Sequence, residues 1–268
     1  MPNQAFSPSD KKLVMSTLLK ECDERDGIDD GMIFDVLGCA FKPEALTCKG
    51  NKDDSCLTPQ QVGALHKTFS DVRDSRGKLV YSAYPYDTGI TIEQGGFPGK
   101  LIKNPLSPTV PEPMSFDVDE SAAAVAADAL QMATDTDGLT NLTTFSGHGG
   151  KLLFYHGVSD SAFSALDTAV YYNKLMKDNG GADVVESWSR LYFVPGMGHC
   201  RGGPAALDNF ALLAAAVDWV ENGVAPEYVV AKGKAFPGRT RPLCAYPKHA
   251  QYNGTGNPDD ASNFTCVK

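Results

Sequence analysis

The sequence predicts an α/β fold for residues 143–268, where short apolar runs alternate with amphipathic helices. "GGKLLFYHG" and "SRLYFVPG" are brief apolar runs next to glycine, as buried parallel strands are. "SALDTAVYYNKLMKDNGG" and "PAALDNFALLAAAVDWVENG" follow them with helical patterns that end in glycine. The order strand, helix, strand, helix indicates part of an α/β sheet.

Residues 1–142 have a different pattern and are predicted to form a separate domain. A serine or threonine followed by proline begins two predicted helices, one over residues 8–22 and one in "LTPQQVGALHKTFSDV". "DESAAAVAADALQMA" predicts a third, short helix. Residues 23–56 and 73–140 are otherwise loop-like, with frequent turn residues and no clean period.

Composition excludes several classes of partner. The 268 residues carry a formal net charge of −9, whereas nucleic acids and anionic membranes bind basic surfaces. No run approaches the roughly 18 apolar residues that would suggest a membrane span. We therefore expect no nucleic acid and no membrane as partner.

The chain has seven cysteines, an odd number. Six of them are chain neighbours around polar loops, which favours the pairs Cys22–Cys39, Cys48–Cys56 and Cys244–Cys266. Each bridge would stabilise the fold by about 2–4 kcal/mol. Other pairings, or seven reduced thiols, remain open from spacing alone. Neighbour pairing leaves Cys200 without a partner and implies an oxidising compartment, although "MPNQAFSPSD" is not a signal peptide.

Two chemically active side chains follow the two predicted strands. Asp160 follows the first strand and His199, in "VPGMGHC", follows the second. Such groups converge at the carboxyl ends of parallel strands. A carboxylate can orient a histidine that takes a proton from a nucleophile, and the order Asp then His occurs in α/β-hydrolases. No G-x-S-x-G elbow is present, so an ordinary surface Asp and loop His remain the alternative.

"GGKLLFYHGVSDSAFS", "RLYFVPGMGHCRGGPA", "RTRPLCAYP" and "CDERDGIDDGMI" together resemble the tannase and feruloyl esterase family, over about residues 13–266. The resemblance implies a serine carboxylic ester hydrolase acting on small aromatic, plant phenolic esters. It makes His199 the catalytic base and Asp160 its orienting acid. In this family a disulfide clamps the nucleophile to the base, and Cys200 would be the histidine-side half of that clamp.

The resemblance also implies an architecture: residues 143–268 as the C-terminal part of an α/β-hydrolase sheet, and residues 1–142 as its disulfide- and calcium-stapled lid. The family's serine lies upstream of the position of Met1. We therefore expect a fragment that lacks the N-terminal hydrolase segment, is inactive alone, and is secreted or periplasmic with its signal peptide in the missing part. The competing hypothesis is a noncatalytic, calcium-stabilised remnant or binding domain.

The acidic loop "CDERDGIDDGMI" is a candidate calcium site. Three carboxylates crowd a glycine-containing loop, and calcium prefers such hard oxygen ligands. The resemblance implies the ligands of a structural calcium ion, namely the carboxylates of Asp23, Asp26 and Asp30 and the carbonyl groups of Ile28 and Met32. A solvated acidic turn is the alternative from the residues alone.

Further candidates are weaker. Tyr81, Tyr84 and Tyr86 could line a pocket for an aromatic acid, but packed or surface tyrosines are the favoured interpretation. His156 and His66 are expected to be structural rather than catalytic.

Overall fold

The computed structural model describes residues 6–89 and 117–268. In the first range lie the helices α1 (Pro8–Cys22) and α2 (Pro59–Phe69), the strands β1 (Val72–Arg73) and β2 (Leu79–Tyr81), and the 3-10 turns Asp23–Asp26 and Pro43–Leu46. The helices of the second range are α3 (Val118–Ala126), α4 (Ala129–Thr134), α5 (Thr143–Gly147), α6 (Ala165–Asp178), α7 (Ala182–Glu186) and α8 (Leu212–Asn222). Its strands are β3 (Leu152–Gly157), β4 (Ser189–Val194), β5 (Asn209–Phe210), β6 (Tyr228–Lys232), β7 (Thr240–Cys244), β8 (His249–Tyr252) and β9 (Phe264–Val267).

The two predicted helix starts near the beginning of the chain are confirmed. Ser7 Oγ accepts a hydrogen bond from the Asp10 amide at 3.1 Å, and an Asp10 carboxylate oxygen accepts one from the Ser7 amide at 2.9 Å. Thr58 and Gln61 form the same reciprocal capping box at α2. Each box satisfies amide groups that the helix itself leaves without an acceptor, so both helices begin at a defined residue.

The predicted α/β segment is built around a parallel strand pair. β3 runs parallel to β4, from Leu152 opposite Ser189 to Gly157 opposite Val194, and α6 lies between them in the chain. Such a crossover between parallel strands places both carboxyl ends at one edge. The strand–helix–strand prediction is therefore confirmed for this unit.

Two predicted helices have different bounds in the structure. "DESAAAVAADALQMA" forms α3 and α4, because Asp128 caps a second helix by accepting from the amides of Leu130 and Gln131. The long helix predicted over "PAALDNFALLAAAVDWVENG" begins only at Leu212. Its first residues instead include β5, which pairs antiparallel with β6.

The remaining strands were not predicted. β5, β6 and β7 form an antiparallel sheet, β8 pairs with β9, and β1 pairs with β2. An isolated antiparallel bridge between Tyr192 and Ala245 joins β4 to the residue after β7. The antiparallel strands thus continue beside the β3–β4 unit that carries the site.

The buried core has separate centres in the N-terminal region (residues 6–89) and the C-terminal region (residues 143–268). Phe6, Val14, Leu18, Leu57 and Leu65 belong to the first centre, together with neighbouring apolar residues of the same region. Met32 and Phe34, however, pack into the core that contains the buried residues of β4, β6 and β7. Packing therefore crosses the predicted boundary at residue 142.

The disulfide bonds join the pairs of neighbouring cysteines that the sequence favours. The structure contains the disulfides Cys22–Cys39, Cys48–Cys56 and Cys244–Cys266. Cys200 is exposed and is the one cysteine without a disulfide partner within residues 6–89 and 117–268.

No helix within the described ranges is both long enough and apolar enough to cross a membrane.

Candidate active site

Asp160 lies three residues beyond the end of β3 and is buried. Its Oδ1 accepts hydrogen bonds from the amides of Ala162 at 2.8 Å and Phe163 at 3.1 Å. Its Oδ2 accepts a hydrogen bond at 2.8 Å from Nδ1 of His199 and lies 3.5 Å from Nε2 of His156. The carboxylate is thus held in one orientation by its own loop and directed at His199.

These contacts determine the charge of Asp160. Burial raises the pKa of its carboxyl, but hydrogen bonds from His156, His199 and the amides of Phe163 and Ala162 outweigh burial and bring the pKa to about 2. Asp160 is therefore ionised at neutral pH. An ionised carboxylate can stabilise a positive charge that develops on the neighbouring imidazole.

The loop after β4 brings His199 to Asp160 through glycines. A Cβ atom at Gly157 would lie 2.4 Å from the carbonyl oxygens of Met197 and Gly198, so only glycine lets the ends of the two strands approach this closely. Gly196 has a positive φ of 72°, and a Cβ there would lie 2.2 Å from the carbonyl oxygen of Ala205. The glycines in "VPGMGHC" therefore allow a tight turn at the base of the site.

The imidazole of His199 has one bonded nitrogen and one available nitrogen. Because an ionised carboxylate only accepts hydrogen bonds, Nδ1 carries the proton and Nε2 is the acceptor. Nε2 has no hydrogen-bond partner within the described residues, and 56% of the side chain is exposed. The ring of Phe163 lies beside the imidazole, with 5.4 Å between the ring centroids. Nε2 can therefore take a proton from a group in the adjoining cleft.

That cleft has a volume of about 690 Å³. Its walls include Asp160, His199 and Cys200, and aromatic side chains make up much of the remainder, namely Tyr81, Phe154, Tyr155, Phe163 and Tyr171. The size and the aromatic lining suit a small aromatic molecule.

Of the three tyrosines considered from sequence, only Tyr81 lines the cleft. The Tyr84 ring lies 5.9 Å from that of Tyr81, between centroids, and its hydroxyl donates to the Ala162 carbonyl. Tyr86 stacks on Phe69 with 4.0 Å between centroids, in the N-terminal core. The packed interpretation therefore holds for Tyr86.

The two other histidines singled out from sequence differ in position. His66 contacts Glu44 at 2.5 Å on the surface, away from the cleft. His156 lies in the site: its Nδ1 is 2.7 Å from Thr168 Oγ1 and its Nε2 is 3.2 Å from the Phe163 carbonyl oxygen. Sequence reasoning assigned His156 no part in the site, although its i, i+4 spacing to Asp160 was the available signal.

Cys200 directly follows His199 and has a φ of 64°, the one positive value outside glycine in the described ranges. Non-glycine residues adopt this left-handed conformation rarely and at an energetic cost. The thiol is exposed at the rim of the cleft. The backbone is therefore held in a constrained turn at the residue next to the histidine.

The acidic loop buries two of its carboxylates. Both oxygens of Asp23 accept from backbone amides, those of Asp30 and Gly31, at 3.1 and 2.7 Å. Asp26 Oδ2 accepts from the Phe34 amide at 3.0 Å, while Asp26 Oδ1 is buried and has no hydrogen-bond partner within the part of the chain that the structure describes. An unsatisfied buried carboxylate oxygen is costly, and a bound cation would satisfy it.

The electrostatics of the acidic loop also favour a bound cation. Burial, followed by repulsion from Asp30 and Asp23, raises the pKa of Asp26 to about 7 despite the hydrogen bond from Phe34. Burial likewise raises the pKa of Asp23. Nearby carboxylates in a protein interior favour protonation unless a cation binds.

The contacts of the other predicted calcium ligands give less support for the site. Asp30 forms ion pairs with Arg239 and Arg241. Ile28 and Met32 lie in the same loop, with the Met32 side chain buried. No group of three or more His, Cys, Asp or Glu side chains within residues 6–89 and 117–268 lies close enough together to hold a metal ion. The donor chemistry fits calcium, but the arginines occupy the third carboxylate.

A family model described as "Tannase and feruloyl esterase" matches residues 2–127 and 112–267. The chain belongs to this family. The resemblance inferred from its motifs is thereby confirmed.

Relatives of this family match nearly the whole chain. Mono(2-hydroxyethyl) terephthalate hydrolase from Piscinibacter sakaiensis is 35% identical over 322 residues, which cover 99% of this chain and 53% of the relative. Probable feruloyl esterase B from Aspergillus niger is 29% identical, over 95% of this chain and 53% of the relative. The chain spans about half the length of the curated relatives it matches.

Solved structures agree with these matches. Feruloyl esterase B from Aspergillus oryzae has a TM-score of 0.76 at 27% identity, covering 98% of this chain and 57% of that chain. Tannin acyl hydrolase from Aspergillus niger shares the fold, with a TM-score of 0.73 at 21% identity over 100% of this chain and 55% of that one. The described fold is therefore that of the matching part of feruloyl esterase and tannase structures.

Proposed function

We propose that this chain supplies the acid–base pair of a serine carboxylic ester hydrolase of the tannase and feruloyl esterase type. The observation that carries the proposal is the 2.8 Å hydrogen bond between His199 Nδ1 and Asp160 Oδ2, with Nε2 left available beside an aromatic-lined cleft. Membership of a family whose relatives are named as ester hydrolases supports it.

In the proposed reaction, Nε2 of His199 transfers the protons. Nε2 takes the proton of a serine hydroxyl as the serine attacks the ester carbonyl, and the resulting imidazolium is stabilised by ionised Asp160. Nε2 then donates that proton to the leaving alcohol. In deacylation it takes a proton from water, which attacks the acyl-enzyme, and returns it to the serine. General acid–base catalysis of this kind contributes about 10²–10⁴-fold in rate.

The nucleophile is the part that the described residues do not place. No G-x-S-x-G motif occurs in the sequence, and no hydroxyl group within the described residues bonds to His199 Nε2. We therefore expect the 268-residue chain to be inactive by itself. In the active enzyme, the cysteine beside the serine would bond to Cys200, and the strained backbone at Cys200 supports such a fixed position.

Aromatic carboxylic esters are the proposed substrate class. The cleft offers several aromatic side chains and room for a small molecule. The relatives are named for a terephthalate ester and for feruloyl esters, and both acids carry an aromatic ring. Offset ring contacts with Phe163 or Tyr155 would position the acyl group beside His199.

A structural calcium ion and an oxidising location complete the proposal. The carboxylates of Asp23, Asp26 and Asp30 and the carbonyls of Ile28 and Met32 would hold the ion, which supplies charge neutralisation in the acidic loop and takes no part in ester chemistry. Three disulfides favour a secreted or periplasmic protein.

A noncatalytic, calcium-stabilised remnant or binding domain is the second candidate. It is favoured by the lack of a hydroxyl group at His199 Nε2 within residues 6–89 and 117–268. The two candidates predict different results once a serine nucleophile is provided: ester hydrolysis for the first, and none for the second.

The deciding experiment is a fusion. The upstream half of mono(2-hydroxyethyl) terephthalate hydrolase is joined in front of this chain, and hydrolysis of feruloyl and terephthalate esters is compared with that of the chain alone. We expect turnover only from the fusion, and none when the serine of the fused half is replaced by alanine. A folded fusion without activity would favour the remnant, and turnover by the chain alone would contradict the assignment of the nucleophile.

A further inference from the structure

Residues 81–89, called here the bridging segment, lie along the loop that carries Asp160. Four side-chain hydrogen bonds join this segment to residues 162–167. They run from the Ser164 amide to Tyr81 Oη (2.8 Å), from Ser164 Oγ to the Ala83 carbonyl (2.5 Å), from Tyr84 Oη to the Ala162 carbonyl (3.1 Å) and from Ser82 Oγ to Asp167 Oδ1 (2.6 Å). The segment is therefore part of the site's support.

Asp87 is the residue of the bridging segment that reaches both loops of the site. Its side chain is fully buried. Its Oδ2 accepts hydrogen bonds at 2.7 Å from Ser159 Oγ and at 2.7 Å from the Gly196 amide. Ser159 directly precedes Asp160, and Gly196 lies three residues before His199. One carboxylate oxygen thus joins the acid loop to the base loop.

Neighbouring contacts close this connection into a ring. The Ser159 amide donates to the Met197 carbonyl at 2.9 Å, so the two loops also bond directly. The Gly89 amide donates to Ser159 Oγ at 2.8 Å, and a Cβ at Gly89 would lie 2.6 Å from the Ser159 Cβ. A shift of either loop relative to Asp87 would therefore break a hydrogen bond.

Burying a charged carboxylate at this position costs free energy. Burial raises the pKa of Asp87, although hydrogen bonds from Ser159 and Gly196 act in the opposite direction. An apolar side chain would avoid that cost but would leave the Ser159 hydroxyl and the Gly196 amide buried without an acceptor. The role that fits Asp87 is therefore a polar link rather than packing.

We propose, building on the catalytic assignment of Asp160 and His199, that Asp87 is a positioning residue that fixes the acid loop against the base loop. By holding Ser159 and Gly196 on one oxygen, it sets the distance between Asp160 and His199. The tautomer of His199 then depends on a residue more than 100 positions earlier in the chain.

The test reads the imidazole directly. The chain is labelled with ¹⁵N and measured near pH 8, above the usual histidine pKa of about 6.5. The ¹⁵N chemical shifts of the imidazole then distinguish the Nδ1–H tautomer from the Nε2–H tautomer. The signal is assigned with His199→Gln. We expect the Nδ1–H form in the unmutated chain. In Asp87→Ala, which loses both hydrogen bonds of the link, we expect a roughly tenfold lower ratio of Nδ1–H to Nε2–H.

Three further variants separate positioning from general loosening. Ser159→Ala removes one of the two links and is expected to lower the ratio by about threefold, as a weaker hydrogen bond would. Ser82→Ala removes a hydrogen bond of the same segment that does not reach the base loop, and it should leave the ratio unchanged. Val185→Ala weakens the core cluster of Tyr172, Leu175, Trp188 and Leu191, which contains neither Asp160 nor His199, and it should also leave the ratio unchanged.

The outcomes are distinct. An unchanged ratio in folded Asp87→Ala would overturn the proposal, and so would an equal change in Val185→Ala. If Asp87→Ala does not fold, Ser159→Ala alone decides by the same criterion. Because the measurement contains no ester chemistry, it can fail while the proposed hydrolase function stands, and the reverse also holds.

Discussion

The N-terminal and C-terminal regions are stabilised in different ways. Residues 6–89 contain two helices, a short hairpin and two disulfides, and they bury the carboxylates of Asp10, Asp23 and Asp26. Residues 143–268 contain the parallel pair, two antiparallel sheets and one disulfide.

This difference separates two tasks. Backbone hydrogen bonds between strands fix the positions of strand ends, and the C-terminal region places Asp160 and His199 directly after two such ends. The N-terminal region has little sheet, so covalent bonds and charges hold its loops in place. We expect damage to the C-terminal region to affect chemistry, and damage to the N-terminal region outside the bridging segment to affect stability first.

The largest expected effect lies in the C-terminal region. In the fusion enzyme, His199→Gln should lower kcat by roughly 10⁴-fold, because the serine then has no base. Unfolding of this variant should stay near that of the parent, since the side chain is more than half exposed. Ester hydrolysis and thermal unfolding are measured together. A loss of activity under tenfold would contradict the role of His199.

Loss of a disulfide should separate the two regions. Replacing Cys22 and Cys39 by alanine opens a loop of 17 residues and should cost about 3 kcal/mol of stability. Both tryptophans, Trp188 and Trp219, lie in the C-terminal region, so their fluorescence reports that region alone.

We expect the circular dichroism of this double variant to change at a lower temperature than its tryptophan fluorescence. Replacing Cys244 and Cys266 provides the matched control, because it removes the C-terminal disulfide. Coincident transitions in the first variant would show that the two regions unfold as one.

Calcium should stabilise the acidic loop in a pH-dependent way. At about 100 times its Kd, calcium should add roughly 2.7 kcal/mol. Without metal, the raised pKa of Asp26, about 7, means that the folded chain binds a proton that the unfolded chain, with an aspartate pKa near 3.9, releases. Stability of the metal-free chain should therefore fall as pH rises from 4 through 7.

Thermal unfolding with chelator and with calcium, at pH 5 and pH 8, measures this effect. The gain from calcium should be larger at pH 8, and Asp26→Asn should remove the gain and reduce the pH dependence, to which Asp23 also contributes. Identical unfolding curves with and without calcium at pH 8 would count against the site.

The smallest effect on stability should come from Cys200. Alkylation without prior reduction should label one cysteine, in the peptide that contains "FVPGMGHCR", because the other six are in disulfides. The labelled chain should unfold at the same temperature, since the thiol is exposed. Labelling of a second cysteine would indicate that one disulfide does not form.

Local sequence signals predicted the elements that are themselves local. The proline-containing caps gave the starts of α1 and α2, and the apolar runs gave β3 and β4. Because parallel strands end at one edge, the pairing of Asp160 with His199 also followed from sequence.

Elements that depend on distant partners were not predicted. β7 contains Pro242 and the fully buried Arg241, which do not fit an apolar strand pattern. Arg241 is buried over the ring of Phe264 and against Asp30, partners that no window of sequence reveals. Asp87 is a single carboxylate in an irregular segment, so nothing local marks its contact with both loops.

The ion pair between Asp30 and Arg241 has a consequence for how the chain folds. The two residues are 211 positions apart. Asp30 can therefore pair with Arg241 only after most of the chain has been synthesised. Contacts of such large sequence separation close late, because the entropy of a long loop must be overcome first. During that interval Asp30 has neither Arg239 nor Arg241 beside it, and a cation from solution is an available counterion. We therefore expect calcium to speed refolding as well as to stabilise the folded chain.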